Sequence, residues 1–337
     1  MKKGVIVTIV SLLLVVGVWS FSFFQTSPLK SPVGKTQKEL PLQKYTFENL
    51  KKTSFPPSDI SLDRPLREEE DYISQVFYYV VDGKRVSGQM NVPTAPGTYP
   101  VVVMFRGFVP REIYAIGVGT KHAGEVLAQQ GLITLAPDFL GYGESDMPSQ
   151  NGIEERFQTY TTAITLLSSL DKLNEGLMAS YSGTITADTS KVGIWGHSNG
   201  GHIALSVLAI TGKSYPTALW APVTKPFPYS ILYFTDEFDD NGKALRKVVA
   251  EFEKDYDVEK FSPTNYYEWI TAPIQLQQGT EDEAVPLRWS DQFVEKMKTL
   301  KKDVTYITYP GSDHNLSPTW NSVIEKTVAF FKKQLEK

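Results

Sequence analysis

Five residues near the middle of the chain, Gly196-His197-Ser198-Asn199-Gly200, constrain what it can fold into more than any other stretch. They follow the apolar run Val192–Trp195 and open a segment of small and apolar residues from Gly201 to Ile210. A G-x-S-x-G pattern in that setting is a sharp strand-to-helix turn, which strains the serine backbone and pushes the hydroxyl into the open. The flanking glycines are needed because side chains there would clash with the neighbouring strand and helix. Without its context the pattern is a glycine-rich turn with an incidental serine. With a strand before it and a helix after it, Ser198 is expected to be an exposed nucleophile.

The rest of the chain carries the same alternation. Val101-Val102-Val103-Met104-Phe105 is a continuous apolar run, as expected for a parallel strand covered on both faces. A helical stretch over 114–129, closed by Gly131, leads to a strand at 132–136. A long helical region, 154–179, then precedes the strand that ends in the turn. Further strands are expected at 217–220, 274–278 and 304–309, with helices at 287–300 and from Pro318 onward, the last capped by Ser317. Upstream, Ile73–Val81 and Lys84–Val92 alternate around Asp82-Gly83, a strong hairpin signal. Strands alternating with helices imply an α/β fold with a mostly parallel central sheet, helices on both faces and an N-terminal hairpin. The segment 222–269 stands where only a short connection is needed. It is rich in aromatic residues, and is expected to form a cap over the site.

Composition narrows the function. A net charge of −4 and the lack of any Lys/Arg run in the body leave no basic patch for nucleic acid. The chain has no cysteine, which removes disulfides, thiolate zinc sites and cysteine nucleophiles. The acidic run from Asp236 fails as a calcium loop. Aligned on Gly242, position one is Glu237 and position twelve is Val248. No metal and no cofactor are expected.

The N-terminus is a separate object. Lys2 and Lys3 precede an uncharged stretch from Gly4 to Phe24, long enough at about 1.5 Å per residue to cross a bilayer core of about 30 Å. Residues 1–24 are therefore expected to be a transmembrane anchor, or alternatively a cleaved signal. Residues 25–43, with Pro28, Pro32 and Pro41, read as a tether to a catalytic body at 44–337. The positive N-terminus stays cytoplasmic, which places that body in an extracytoplasmic, membrane-anchored position, secreted if the segment is cleaved.

A serine hydroxyl needs a base. Of the four histidines, His197 and His202 belong to the turn and its helix, and His122 to an early helix. His314 lies in the loop Pro310-Gly311-Ser312-Asp313-His314 after the last strand, at the carboxyl edge of the sheet, and is the expected base. The acid must come from the loop Gly279-Thr280-Glu281-Asp282-Glu283, after the strand at 274–278. The order Ser198, acid, His314 matches the hydrolase order Ser…Asp/Glu…His. The three adjacent acids Glu281, Asp282 and Glu283 stay open on this reading.

From about residue 100 onward the chain resembles the catalytic domain of the prolyl oligopeptidase family within the α/β-hydrolase superfamily, with dienelactone hydrolase-like esterases as close relatives. The matching motifs are Gly196-His197-Ser198-Asn199-Gly200-Gly201, Ser262-Pro263, Gly279-x-x-Asp282-x-x-Val285-Pro286 and Tyr309-Pro310-Gly311 before His314. The resemblance selects Asp282 as the acid. It also implies an oxyanion hole from the backbone N–H groups of Asn199 and Phe108. Relatives carry His-Gly-Gly where this chain has Arg106-Gly107-Phe108. Arg106 is then either a salt-bridged residue or a contact to a substrate carboxylate, and Asp138 a structural residue. Tyr233 and Phe234 in the cap are expected to meet the substrate. The implied activity is that of a serine hydrolase cleaving ester or peptide bonds through an acyl-enzyme, a serine-type peptidase or carboxylesterase. Its substrate would be a small ester or short peptide, since 28–99 is too short for a β-propeller. A non-catalytic, membrane-anchored binding protein is the remaining alternative.

Overall fold

Hydrophobic residues at every position of 101–105 leave no face for water, and the computed structural model, which describes residues 39–336, buries that run on both sides. Val101, Val103 and Phe105 enter one core while Val102 and Met104 enter the other, the period-2 signature of a strand at the centre of a sheet. The strands are β1 (Ser61–Glu68), β2 (Tyr72–Val81), β3 (Lys84–Pro93), β4 (Gly97–Phe105), β5 (Ile133–Pro137), β6 (Ile185–His197), β7 (Thr217–Trp220), β8 (Ile274–Gly279) and β9 (Val304–Tyr309). They form one nine-stranded sheet in the order β1-β2-β3-β5-β4-β6-β7-β8-β9. Pairing is antiparallel from β1 to β5 and parallel from β5 to β9. The α/β architecture is as expected.

The helices are α1 (Phe47–Lys52), α2 (Lys121–Gln129), α3 (Gly152–Ser169), α4 (Leu173–Tyr181), α5 (Asn199–Thr211), α6 (Tyr229–Leu232), α7 (Lys243–Glu253), α8 (Leu287–Thr299) and α9 (Trp320–Leu335). Side chains of α3, α4, α5 and α8 fill one core; α2 and α9 cover the other face through Ala123, Leu127, Val323 and Phe331. The hairpin is as expected, with Val81 paired to Lys84 across Asp82 and Gly83, both at positive φ.

Several boundaries differ from expectation. The stretch 114–120 is turn rather than helix because Gly117 and Gly119 take positive φ, and α2 starts only at Lys121. The helical region 154–179 breaks at a 3-10 turn, Leu170–Lys172, between α3 and α4. The last helix is preceded by Thr319, not Ser317, whose backbone is tied to Asp313 instead. β1 was not anticipated: its charges erase any alternation and Pro65 shifts the register on both sides. Such a strand is tolerated only at an edge. A 3-10 turn, Pro41–Tyr45, precedes α1, and in it the Leu42 N–H donates to the Tyr256 hydroxyl at 3.1 Å. The expected segment at 1–24, and the tether up to residue 38, lie outside the described residues. Among the described residues no helix is long and apolar enough to cross a membrane.

The aromatic segment 222–269 is not a cap throughout. Phe227, Phe252, Phe261, Tyr266 and Tyr267 join the main core, where the Phe157 ring of α3 lies 5.4 Å from Phe227 and 4.9 Å from Phe261. Burying rings of this size contributes more than any cap surface exposed to water. Phe157 thus fastens the inserted segment to the fold. Phe157→Ala is expected to lower unfolding free energy by about 3–5 kcal/mol in chemical denaturation. A loss below about 1 kcal/mol would show that the insertion is held elsewhere.

Candidate active site

At the end of β6 the chain turns into α5 through Ser198, which sits at φ 56° and ψ −120°. A non-glycine residue holds that conformation only when its surroundings enforce it. Ser198 N–H donates to Trp220 O at 2.9 Å, and Ser198 O accepts from Val223 N–H at 3.0 Å. The next turn presses on the sheet: a Cβ at Gly200 would lie 1.8 Å from Phe105 O, so only glycine fits. The hydroxyl is carried at the carboxyl edge of the parallel strands, as the motif predicts.

Asp282 follows β8 with its side chain fully buried, while Glu281 and Glu283 are exposed. Its Oδ1 accepts from the backbone N–H groups of Ala284 and Val285, at 3.0 and 2.7 Å. Its Oδ2 accepts from Gln278 Nε2 at 2.8 Å, and the Gln278 Oε1 is held in turn by the Ser290 hydroxyl at 2.7 Å. His314 Nδ1 completes the cradle at 2.9 Å from Oδ2 and 3.1 Å from Oδ1. With no acceptor role open against a carboxylate, Nδ1 carries the proton and Nε2 is left as the basic nitrogen. The geometry thereby separates Asp282 from its two neighbours.

The histidine loop is closed on itself. Asp313 Oδ1 accepts from Asn315 and Ser317 N–H, both at 2.9 Å, and Asp313 N–H donates to Ser317 O at 3.0 Å. The loop is also tied to the serine turn by His197, whose Nε2 donates to His314 O at 3.0 Å and whose ring lies 4.8 Å from the His314 ring. Burial first, and then the neighbouring His314, push the His197 pKa down to about 4, so it stays neutral beside the base. The remaining histidines are structural in setting. His202 is buried between the Tyr160 hydroxyl and Val223 O, and His122 stacks on Trp320.

Asn199 follows the serine directly, and Phe108 follows Gly107. The chain at Gly107 passes against the serine, since a Cβ there would lie 3.1 Å from Ser198 Cβ. Among the described residues the Phe108 N–H has no backbone acceptor. Arg106 forms no ion pair among the described residues: it is 6% exposed and its terminal nitrogens donate to backbone carbonyls. Asp138 is wholly buried, and burial raises its pKa against the opposing effects of Ser87, Tyr114 and Arg106. Tyr233 and Phe234 pack on Trp289, with ring separations of 4.6 and 6.2 Å, in a small cluster with Val223 and Val285. Those two valines come from the segments that support Ser198 and Asp282, so the cluster borders the site.

Sequence reasoning missed three supporting residues: His197, Gln278 and Arg156, whose Nη1 donates to Asn199 Oδ1 at 2.8 Å. Gln278 shares its strand with Gln275 and Gln277, so the residue type alone does not single it out. The contacts of Arg156 and His197 are long-range and leave no pattern in the chain.

A model described as "Prolyl oligopeptidase family" matches residues 170–337, which hold Ser198, Asp282 and His314. One described as "Chlorophyllase" matches residues 86–219, which hold Arg106 to Phe108 and Ser198. The chain is similar to the "Uncharacterized peptidase YtmA" of Bacillus subtilis (strain 168), at 23% identity over 260 residues, covering 76% of this chain and 91% of that protein. Its fold is similar to that of a puromycin-hydrolyzing peptidase of Mycobacterium tuberculosis, at 19% identity and TM-score 0.58, covering 80% of this chain but only 40% of that one. It is also similar to Acetyl Xylan Esterase 1 from Thermoanaerobacterium sp. JW/SL YS485, at 16% identity and TM-score 0.54, covering 87% of this chain and 99% of that one.

The buried histidines make acid stability testable. Burial, and then Arg156, lower the His202 pKa from 6.5 to about 3. A lowered histidine pKa means the unfolded chain takes up the proton first, so the contribution is complete above about 6.5 and is lost as pH falls toward about 3. The stability advantage of the wild type over His202→Gln should shrink by on the order of a few kcal/mol over that range. A difference independent of pH in denaturation experiments would show that His202 is not held neutral.

Proposed function

The chain is a prolyl oligopeptidase-like α/β-hydrolase, a serine hydrolase of peptidase or esterase type, and on that premise we propose that Ser198, His314 and Asp282 carry its acyl transfer. Ser198 Oγ attacks the carbonyl carbon of an ester or amide while His314 Nε2 takes its proton. The negative charge on the carbonyl oxygen is met by the N–H groups of Phe108 and Asn199. His314 then protonates the leaving alcohol or amine as its bond to the acyl carbon breaks. Water, deprotonated by His314, attacks the acyl-enzyme and releases the acid together with Ser198. Asp282 holds the imidazole in the productive tautomer and stabilises its cation. The observation that carries this reading is the Asp282 carboxylate, fully buried, fixed by three protein donors and facing His314 Nδ1.

The substrate in this reading is a small ester or short peptide bordered by Tyr233 and Phe234. Its support is the aromatic cluster of Tyr233, Phe234 and Trp289, which packs on Val223 and Val285 from the segments that support Ser198 and Asp282. Ser198→Ala should abolish both hydrolysis of p-nitrophenyl esters and labelling by a fluorophosphonate, with the fold intact. Asp282→Asn should lower kcat by at least roughly 10³, on the low side of the loss known for the same change in serine proteases. Glu281→Gln and Glu283→Gln should stay within about tenfold, as exposed charges do. Labelling of the Ser198→Ala protein would move the nucleophile elsewhere. An unlabelled wild type would favour the non-catalytic binding protein.

We also propose that residues 1–24 anchor this enzyme in a membrane with its body on the extracytoplasmic side. The support is the uncharged stretch from Gly4 to Phe24 behind Lys2 and Lys3. Deleting 1–24 should convert a membrane-bound protein, cleaved by protease added outside, into a soluble active one. Release of the full-length product into the medium with a new N-terminus near Phe23 would show a cleaved signal instead.

A further inference from the structure

Arg106 is a buried cation that the reaction above does not use. Its Nη1 donates to Gly107 O at 2.9 Å and its Nη2 to Asp138 O at 3.1 Å. The guanidinium carbon lies 4.0 Å from the centre of the Tyr142 ring and 4.6 Å from that of Tyr114. Both arrangements are favourable for a desolvated guanidinium. Tyr114 is itself fixed, its hydroxyl donating to Asp138 Oδ1 at 2.5 Å, while the Ser87 hydroxyl holds Oδ2 at 2.5 Å. Arg106 Nε is buried without a partner among the described residues. Burying a guanidinium with no bonded carboxylate opposes folding. An arrangement held against that cost calls for a function, and with Arg106 only 6% exposed that function is sought in the backbone it holds.

The function lies in the peptide that Nη1 grips. In a planar trans peptide the C=O and the following N–H point in opposite directions. Holding Gly107 O toward the guanidinium therefore turns the Phe108 N–H away from it. This peptide runs against the nucleophile, since a Cβ at Gly107 would lie 3.1 Å from Ser198 Cβ and 3.6 Å from its Oγ. Little else sets its orientation. Glycine tolerates either sense of the peptide, and the Phe108 side chain is 70% exposed and packs on little. We propose that Arg106 is a positioning residue for the oxyanion hole, locking the Gly107–Phe108 peptide so that its N–H faces the acyl oxygen bound at Ser198. The inference rests on the assignment of Ser198 and Phe108 above, and it replaces the expected substrate contact with an indirect role. Lysine has one point of charge where arginine has a planar fork, so it cannot hold both carbonyls in this geometry.

The test compares Arg106→Lys, Arg106→Gln and Arg106→Met with the wild type on p-nitrophenyl acetate, and measures inhibition by phenylboronic acid. In the inhibited form the Ser198 oxygen adds to boron, its proton passes to His314, and the anionic tetrahedral boronate presents one of its hydroxyl oxygens to the hole. Directly removing an oxyanion donor costs about 10²–10³ in kcat, so loosening one should cost roughly 10- to 100-fold. The Gln and Met variants are expected to show that loss in kcat with KM within about threefold. The boronate Ki should rise in proportion to the loss in kcat/KM, as for an interaction made in the transition state. Arg106→Lys should fall between, and it decides the matter if the other two fail to fold, as read by thermal unfolding. A folded Arg106→Lys with wild-type kcat and boronate Ki would overturn the proposal. So would a fall in kcat without a matching rise in Ki. A wild type that neither hydrolyses the ester nor labels with a fluorophosphonate would overturn the hydrolase reading, and this inference with it.

Discussion

The close approach of α5 to the end of β4 is the constraint on which the rest depends. Gly200 packs so tightly on Phe105 O that a single methyl group would overlap it. That contact leaves the chain no room for a wider turn, and Ser198 is consequently held at positive φ between β6 and α5. The strain is supported by bonds to β7 and to the segment after it, through Trp220 O and Val223 N–H. It is supported further by a helix that is apolar nearly all round and buried along its length. Local strain of this kind persists only when the surrounding core over-determines it.

Around that turn the protein spends buried polar groups on orientation. Asp282 has its carboxylate out of water, yet every direction of approach is occupied by a donor. The second layer repeats the pattern: Ser290 holds Gln278, His197 holds the backbone of His314, and Arg156 holds the side chain of Asn199. His197 has a further consequence. A protonated ring there would oppose formation of the His314 cation, and enclosure keeps it neutral well below pH 7.

The inserted segment shows one stretch serving two purposes. Its phenylalanines interlock with Phe157 and seal the main core, while Tyr233 and Phe234 stay partly exposed on Trp289 beside the site. The core half ties the segment to the sheet, and the partly exposed half packs beside the segments that support Ser198 and Asp282. Different residues of one stretch thereby pack the core and border the site.

By itself the sequence determined the α/β class, the hairpin, the serine turn and the chain order of serine, acid and histidine. These are local: apolar runs, glycine spacing and turn residues act over a few positions, so they can be read along the chain. The edge strand β1 was illegible because Pro65 and its charges destroy the alternation that marks a strand. The helix expected over 114–120 failed because two glycines there adopt a conformation that composition does not reveal. Asp282 could not be told from Glu281 or Glu283 by the residues alone, since burial and donor geometry are properties of the folded loop. The surroundings of Arg106 were illegible for the same reason. Its partners Tyr114, Asp138 and Tyr142 are brought together only when β4 and β5 pair, and long-range contacts of that kind have no signature in a single chain.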